Sequence, residues 1–208
     1  MNQIPIYQHP FVDVFKLTKL TDWVNCHKEG DVQDAVWDQN LAKNFIRIQG
    51  TSSSSNYIQV PATKFLPKKA LGLTGKYIYL LLNRPDGKNC IVHLDYMVNE
   101  TRLTKVSLSN IYKDFKNLNG SSLQIPLNIQ PDRWTLVCIA VGDLLEKHNI
   151  FLPNQNKTFF LRSFQICSTV NVRGVFTSDL QYQVQTLPKE MQFKLPKNSD
   201  WFSHYSWF

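Results

Sequence analysis

Along most of this chain apolar and polar residues alternate with a period of two rather than 3.6. In Cys90–Val98 the set Val92, Leu94, Tyr96 and Val98 faces one way, while His93 and Asp95 face the other. Leu103–Ser109 repeats the pattern, with Val106 and Leu108 opposed to Lys105, Ser107 and Ser109. Strict alternation with one polar face predicts antiparallel strands half exposed to water. Tyr77–Leu82 is apolar in both phases and predicts a central strand covered on both sides. Further runs at Phe45–Gln49, Tyr57–Val60, Leu123–Leu127, Trp134–Ala140, Phe159–Cys167 and Val170–Thr177 complete a series of short strands. The last two are joined by almost nothing and predict an antiparallel hairpin. In its first arm Phe160, Phe164 and Ile166 point one way and Leu161, Ser163 and Gln165 the other, with Arg162 near an end.

Turn signals separate the runs: Gly50-Thr51 with its serines, Arg84-Pro85-Asp86-Gly87, Asn119-Gly120 and Gln130-Pro131-Asp132. Helical signals are few. Thr21 caps a turn through Val24 that Gly30 ends, Ser109 or Asn110 opens another over Ile111–Phe115, and Asp143–His148 makes a third. So many strands with so little helix imply an all-β domain, a sandwich or a barrel. No repeat period is present, so a propeller or solenoid is not expected in this chain.

A chain of 208 residues that is 43% apolar has enough hydrophobic surface for one substantial core. Nothing approaches the roughly 20 apolar residues of a membrane span, and the N-terminus lacks the pattern of a signal peptide. The four cysteines (Cys26, Cys90, Cys138, Cys167) are widely spaced, and most read as small buried hydrophobes in strands. These features describe a reduced, intracellular domain without membrane partners.

Catalytic patterns are missing. The five histidines form no H-E-x-x-H or other close ligand pair, and Ser52–Ser55 lacks the G-x-S-x-G setting of a nucleophile. No metal or cofactor is expected. The charge balance, +7 with a pI near 9.2, instead favours an acidic partner. Lys64, Lys68 and Lys69 present three charges from one loop, and Arg102, Lys105, Lys113 and Lys116 form a second concentration. Arg133, Lys157, Arg162 and Arg173 are isolated in sequence and available to gather on one face. Each lysine also has the simpler reading of a solvated surface charge. Nucleic acid is disfavoured because neither an RNP-type aromatic motif nor a recognition helix is present. Trp37 and Trp134 are of the right type to stack on sugars, which keeps a carbohydrate-binding module as the alternative, although both also suit a core.

A family resemblance sharpens this. Ile46-Arg47-Ile48-Gln49-Gly50 leads to Asn56-Tyr57-Ile58; Leu71-Gly72-Leu73 precedes an apolar strand; and Asp132-Arg133-Trp134 opens a strand that ends at Asp143-Leu144. Leu161–Pro196 follows, ending in Leu187-Pro188-Lys189-Glu190 and Phe193-Lys194-Leu195-Pro196. In order and spacing this resembles the cilia- and flagella-associated protein 20 domain. Gln8–Lys16, Leu71–Tyr77 and Ser109–Lys116 narrow the likeness to a centriolar branch of that family. The resemblance implies a jelly-roll-like antiparallel β-sandwich over 45–196. An N-terminal extension (1–44) packs on it, and an aromatic tail (197–208) follows, ahead of WD repeats in a longer protein. It also implies a non-enzymatic structural linker, at the inner junction of ciliary doublets or in the inner scaffold of centrioles. The partners implied are tubulin in the microtubule lattice and other centriolar or axonemal scaffold proteins, reached in the cytoplasm, centrosome and cilium. The expected tubulin contacts are Lys64, Lys68, Lys69, Lys105, Lys113 and Lys116.

Overall fold

The computed structural model describes residues 10–19, 25–62, 70–151 and 157–208. Two seven-stranded sheets face each other. The first runs β14 (Tyr205–Trp207), β11 (Trp134–Ala140), β6 (Tyr77–Asn83), β13 (Val170–Ser178), β4 (Lys43–Gln49) and β3 (Asp31–Asp38), with β1 (Val12–Asp13) paired to β13 beside β4. The second runs β2 (His27–Glu29), β5 (Tyr57–Val60), β12 (Phe159–Ser168), β7 (Cys90–Val98), β8 (Arg102–Ser109), β10 (Ser122–Pro126) and β9 (Lys116–Leu118). Segment 27–38 thus supplies an edge strand to each sheet. The fold is the expected all-β sandwich, though it is not wholly antiparallel: β10 runs parallel to β8, and β14 parallel to β11.

Each strand of the alternating runs forms where its pattern places it, within a residue or so at the ends. The main correction is the closing pair. β12 pairs with β5 and β7 in the second sheet, whereas β13 pairs with β4 and β6 in the first, so they are not a hairpin. The chain changes sheet at Ser168-Thr169, with Ser168 at φ +74°. Two other loops hold this corner, that between β4 and β5 and that between β6 and β7. The Ser168 amide donates to the Asn56 carbonyl (2.9 Å) and the Thr169 amide to that of Asn89 (3.0 Å). The Thr169 hydroxyl donates to the Gly50 carbonyl (2.9 Å), and its oxygen lies 3.1 Å from the Gly50 amide nitrogen.

A second correction concerns phase. β12 carries a bulge between Leu161 and Ser163 and β13 one between Val172 and Gly174, so Arg162 and Arg173 are the extra residues. A bulge shifts the alternation by one. Leu161, Phe164 and Ile166 therefore share the core, while Phe160 pairs with Met97 on the outer face.

Helix α1 (Val14–Thr18) is capped by the Asp13 carboxylate, which accepts from the Phe15 and Lys16 amides. Helix α2 (Val141–Lys147) follows β11 directly. The turn expected over Thr21–Val24 lies outside the described residues, and none of the helix expected over Ile111–Phe115 forms. Asn110 is committed elsewhere, and Ser109 closes only a single turn, its oxygen accepting from the Ile111 amide (3.2 Å). The Ser109 hydroxyl donates to the Cys90 carbonyl, and Asn110 bonds the Cys90 amide and the Lys88 carbonyl. The segment becomes a loop leading to β9, which turns back through Asn119-Gly120. Both residues have positive φ (52° and 68°), and the Ser121 amide closes the turn by donating to the Leu118 carbonyl (3.1 Å), with the ladder resuming at Leu118 and Ser122.

The apolar residues divide into two cores. Ile78, Leu80, Leu82, Val137, Ile139, Val172 and Val175 of the first sheet meet Ile58, Leu94, Val106, Leu108, Phe164 and Ile166 of the second. On the first sheet's other face, Tyr79, Leu81, Leu136, Cys138 and Phe176 lie beneath Tyr182, Leu187 and Met191, with Phe193, Trp201 and Tyr205 packed alongside. The segment after β13 is thus a strap across the sheet. Tyr79 fastens it: its hydroxyl donates to the Leu180 carbonyl (3.0 Å) and accepts from the Tyr182 amide (2.8 Å). His204 Nδ1–H donates to the Trp134 carbonyl (2.7 Å) further along.

Among the described residues the second sheet's outer face has no such strap, and it carries polar residues. There His93 Nδ1 lies 2.8 Å from Ser107 Oγ. Burial, reinforced by the Lys105 ammonium, lowers the His93 pKa below the ordinary imidazole value, against an opposing pull from Asp95.

Two outcomes follow. Tyr79→Phe removes the strap's fastening and leaves a buried amide and carbonyl unpaired, so it should cost about 1–3 kcal/mol in urea unfolding. A wild-type urea midpoint would refute that account of the strap. For His93 the unfolded chain binds the proton more readily than the folded one. Stability is then complete above the unfolded pKa of about 6.5 and declines as pH falls below it. His93→Gln should flatten that decline relative to wild type between about pH 7.5 and 5.5; identical slopes would exclude His93 as its source.

Candidate binding face

Groups that make enzymes reactive are mostly committed to structure. All four cysteines are free and buried; burial pushes the Cys26 thiol up to about 11 and those of Cys90, Cys138 and Cys167 up to about 12. Such thiols stay protonated and neither attack nor bind metal readily. His148 stacks on Phe115 at 4.2 Å, and His27 lies 3.2 Å from Glu29. Among the described residues no three His, Cys, Asp or Glu side chains gather as a metal would require. Trp134 is buried, with its indole N–H donating to Asp38 (2.9 Å), which ties β11 to the β3–β4 turn. Trp37 is 60% exposed.

The basic residues separate into structural and available ones. Arg102 is structural: its guanidinium donates to the carbonyls of Ile150 (3.1 Å) and Asn119 (2.9 Å). Gly120 leaves room for it, since a Cβ there would lie 2.0 Å from a guanidinium nitrogen. Lys157 pairs with Glu146. Arg162 and Arg173 sit in bulges of different sheets and Arg133 precedes β11, so this set does not gather on one face. Lys64, Lys68 and Lys69 lie outside the described residues.

Lys105, Lys113 and Lys116 do come together, at the β8–β10–β9 end of the second sheet. Lys105 is opposite Ser122, and Lys116 opposite Gln124, in register across β10. Both occupy the outward phase, because Val106, Leu123 and Ile125 fill the inward one. Two strand spacings and a two-residue offset along β10 separate them, roughly 12 Å. Lys113 stands on the intervening loop, which folds back so that the Tyr112 hydroxyl bonds Ser107. Lys105 lies 3.6 Å from Asp95, a partly exposed pair that leaves much of its charge open to solvent. Among the described residues Lys113 and Lys116 have no ion-pair partner and are exposed.

Charge alone does not reveal the rest of this face. Leu103, Ile111, Phe115 and Leu118 are 38–50% exposed, four of the nine large apolar side chains left in solvent among the described residues. They fall within one stretch of chain: Leu103 and Leu118 share the outward phase with Lys105 and Lys116, whereas Phe115 turns to the other side of β9 and stacks on His148. Leu103 was legible as the outward member of the β8 alternation; the other three depended on the failed helix and on β9. Lysines around exposed apolar side chains make a surface that attracts an acidic partner at long range and then holds it by desolvation.

The CFA20 domain matches residues 3–195. WD repeat-containing protein 90 of Homo sapiens is 31% identical over 226 residues, covering 96% of this chain and 12% of that protein. Centriole proteome protein 16 of Chlamydomonas reinhardtii is 29% identical over 203 residues, covering 97% of this chain and 9% of that protein. Cilia- and flagella-associated protein 20 of Paramecium tetraurelia is 21% identical over 177 residues, covering 84% of this chain and 85% of that protein. This chain therefore spans only a small part of the longer relatives and most of the length of the short one. Matched across nearly its whole length, the chain belongs to the CFA20 domain family.

Proposed function

We propose that this chain is a non-enzymatic structural module that binds the microtubule wall in centrioles and cilia, linking it at the inner junction or inner scaffold. The observation that carries the reading is the face built by β8, β10 and β9. It sets Lys105, Lys113 and Lys116 with Leu103, Ile111 and Leu118 on a sheet whose opposite side is locked into the core. Tubulin presents an acidic surface, so this face has the sign to attract it and the apolar area to retain it. The relatives' names, which refer to centrioles, cilia and flagella, support the same setting. Lys64, Lys68 and Lys69 are part of the proposal as a second basic contribution to the contact.

The test is co-sedimentation with stabilised microtubules across a salt series. The chain should pellet at low salt and be released as salt rises, because exposed charges are screened beyond a Debye length of about 8–10 Å near physiological ionic strength. Charge reversal at Lys105, Lys113 and Lys116 together should weaken pelleting by roughly tenfold or more, with circular dichroism checking the fold. Pelleting unchanged in the folded variant would move the contact elsewhere. No pelleting at any salt would remove tubulin as a direct partner.

A further inference from the structure

The first sheet ends at β14, whose outer edge pairs with no other described strand. The Phe208 amide donates to the Cys138 carbonyl and the Phe208 carbonyl accepts from Ala140, both at 2.9 Å. Alternate residues of a strand direct their backbone groups to opposite sides. Ser206 and Phe208 therefore face β11, and the amides and carbonyls of Tyr205 and Trp207 face outward. Natural sheets blunt free edges with charge or bulges. The far edge of this sheet, β3, does so with Asp31, Asp34 and a bulge between Gln33 and Val36. β14 is short, but it carries no charge within Tyr205–Trp207.

A cleft of about 470 Å³ adjoins β14, with Asn128, Gln130, Arg133, Ser203 and Ser206 in its lining. At its rim Phe202 is 81% exposed, the most exposed large apolar side chain among the described residues; Trp207, on the strand itself, is 43% exposed. Arg133 is exposed and has no ion-pair partner among the described residues. The neighbouring carboxylates are already engaged by backbone amides, Asp132 by that of Asp86 (3.1 Å) and Asp200 by that of Ser203 (2.9 Å). The cleft thus combines a free guanidinium, neutral hydrogen-bonding groups and an exposed ring with an open strand edge. Strand addition takes its affinity from such an edge and its specificity from the pocket beside it, and Arg with aromatic residues is the usual composition of an interface hot spot.

We infer that β14 and this cleft receive an extended acidic segment of a partner protein, added as a further strand of the first sheet with a carboxylate on Arg133 and apolar contact at Phe202. None of the cleft's lining residues belongs to the lysine face, so the inference does not depend on that face binding tubulin.

The probe is a fluorescein-labelled ten-residue peptide alternating Glu and Val, followed by anisotropy with the whole 208-residue chain; a Lys–Val peptide of equal length is the control. The Glu–Val peptide should bind and the control should not. Arg133→Gln and Phe202→Ala should each weaken binding by roughly tenfold. Both side chains are exposed, so unchanged melting temperatures are expected. The Tyr205 and Trp207 amides should exchange with solvent at least about tenfold more slowly in the complex. The variant reversed at Lys105, Lys113 and Lys116 should bind the peptide as wild type does. The inference is overturned if the unsubstituted chain fails to bind at millimolar peptide, or if binding survives both cleft substitutions. Binding without protection of those amides overturns it too. Peptide binding lost only in the lysine variant would overturn it while leaving the tubulin proposal standing.

Discussion

Strand β6 places Ile78, Leu80 and Leu82 between the sheets and Tyr79 and Leu81 on the opposite face, so the first sheet has to be covered twice. The second sheet covers one face. The other needs a layer of its own, supplied by the strap from Leu180 to Phe208. Because the strap has little regular structure, its backbone groups need partners, and the Tyr79 hydroxyl meets two of them. The aromatic crowding of the C-terminus follows from this. Phe193, Trp201 and Tyr205 pack against the second core, and Trp207 approaches Tyr77 at 6.0 Å as β14 joins the sheet. The asymmetry also determines where a partner has room to bind. The strap occupies much of the first sheet's outer face, while among the described residues nothing comparable covers the second sheet's polar outer face.

The sheet change at Ser168-Thr169 links this constraint to the order of the strands. β12 and β13 are the longest apolar runs late in the chain, and as a hairpin they would share one sheet. Split between sheets, each pairs on both sides and each contributes to the central core. One residue in the left-handed region is the local cost, and the loops at Gly50, Asn56 and Asn89 offset it by bonding the corner directly. The two bulges serve the same end. Expelling Arg162 and Arg173 from the alternation lets long strands keep charged residues without placing them in the core.

Most of the sheet structure was legible because alternation is a local property of the sequence. β6 was readable as a doubly covered strand from six consecutive residues, and β7 and β8 from their polar phases. Connectivity was less accessible. Nothing local separates a hairpin from a sheet change when the bonds that decide it come from Gly50, Asn56 and Asn89, all distant in sequence. The short strands β1, β2, β9 and β14 carry too few residues to show a period. The failed helix over Ile111–Phe115 is of the same kind, since the Asn110 side chain and the Ser109 hydroxyl proton are spent on Cys90 and Lys88, 19 to 22 residues away. For the binding face, three of the six expected lysines proved to be neighbours through β10, a parallel pairing the sequence did not disclose. Their apolar companions were hidden by the same crossover.

The way polar groups are spent gives the non-enzymatic proposal its physical support. Asp13 caps a helix, Asp38 holds a turn and an indole, and Asp95 accepts from Ser163 and pairs with Lys105. His204 and Arg102 bond backbone carbonyls. A catalyst needs such groups convergent and available around a reacting atom, whereas here they maintain loops and edges. The uncommitted groups are of another kind: Lys113 and Lys116 with exposed apolar side chains at one sheet edge, beside the partly exposed Lys105, and Arg133 with Phe202 at another. Both sets lie on elements fixed by a core, so a partner meets side chains whose backbone is already ordered, and the entropy lost on binding is correspondingly small. That is what a module bridging two rigid bodies requires. Its strength comes from surfaces held in fixed relation by the sandwich between them.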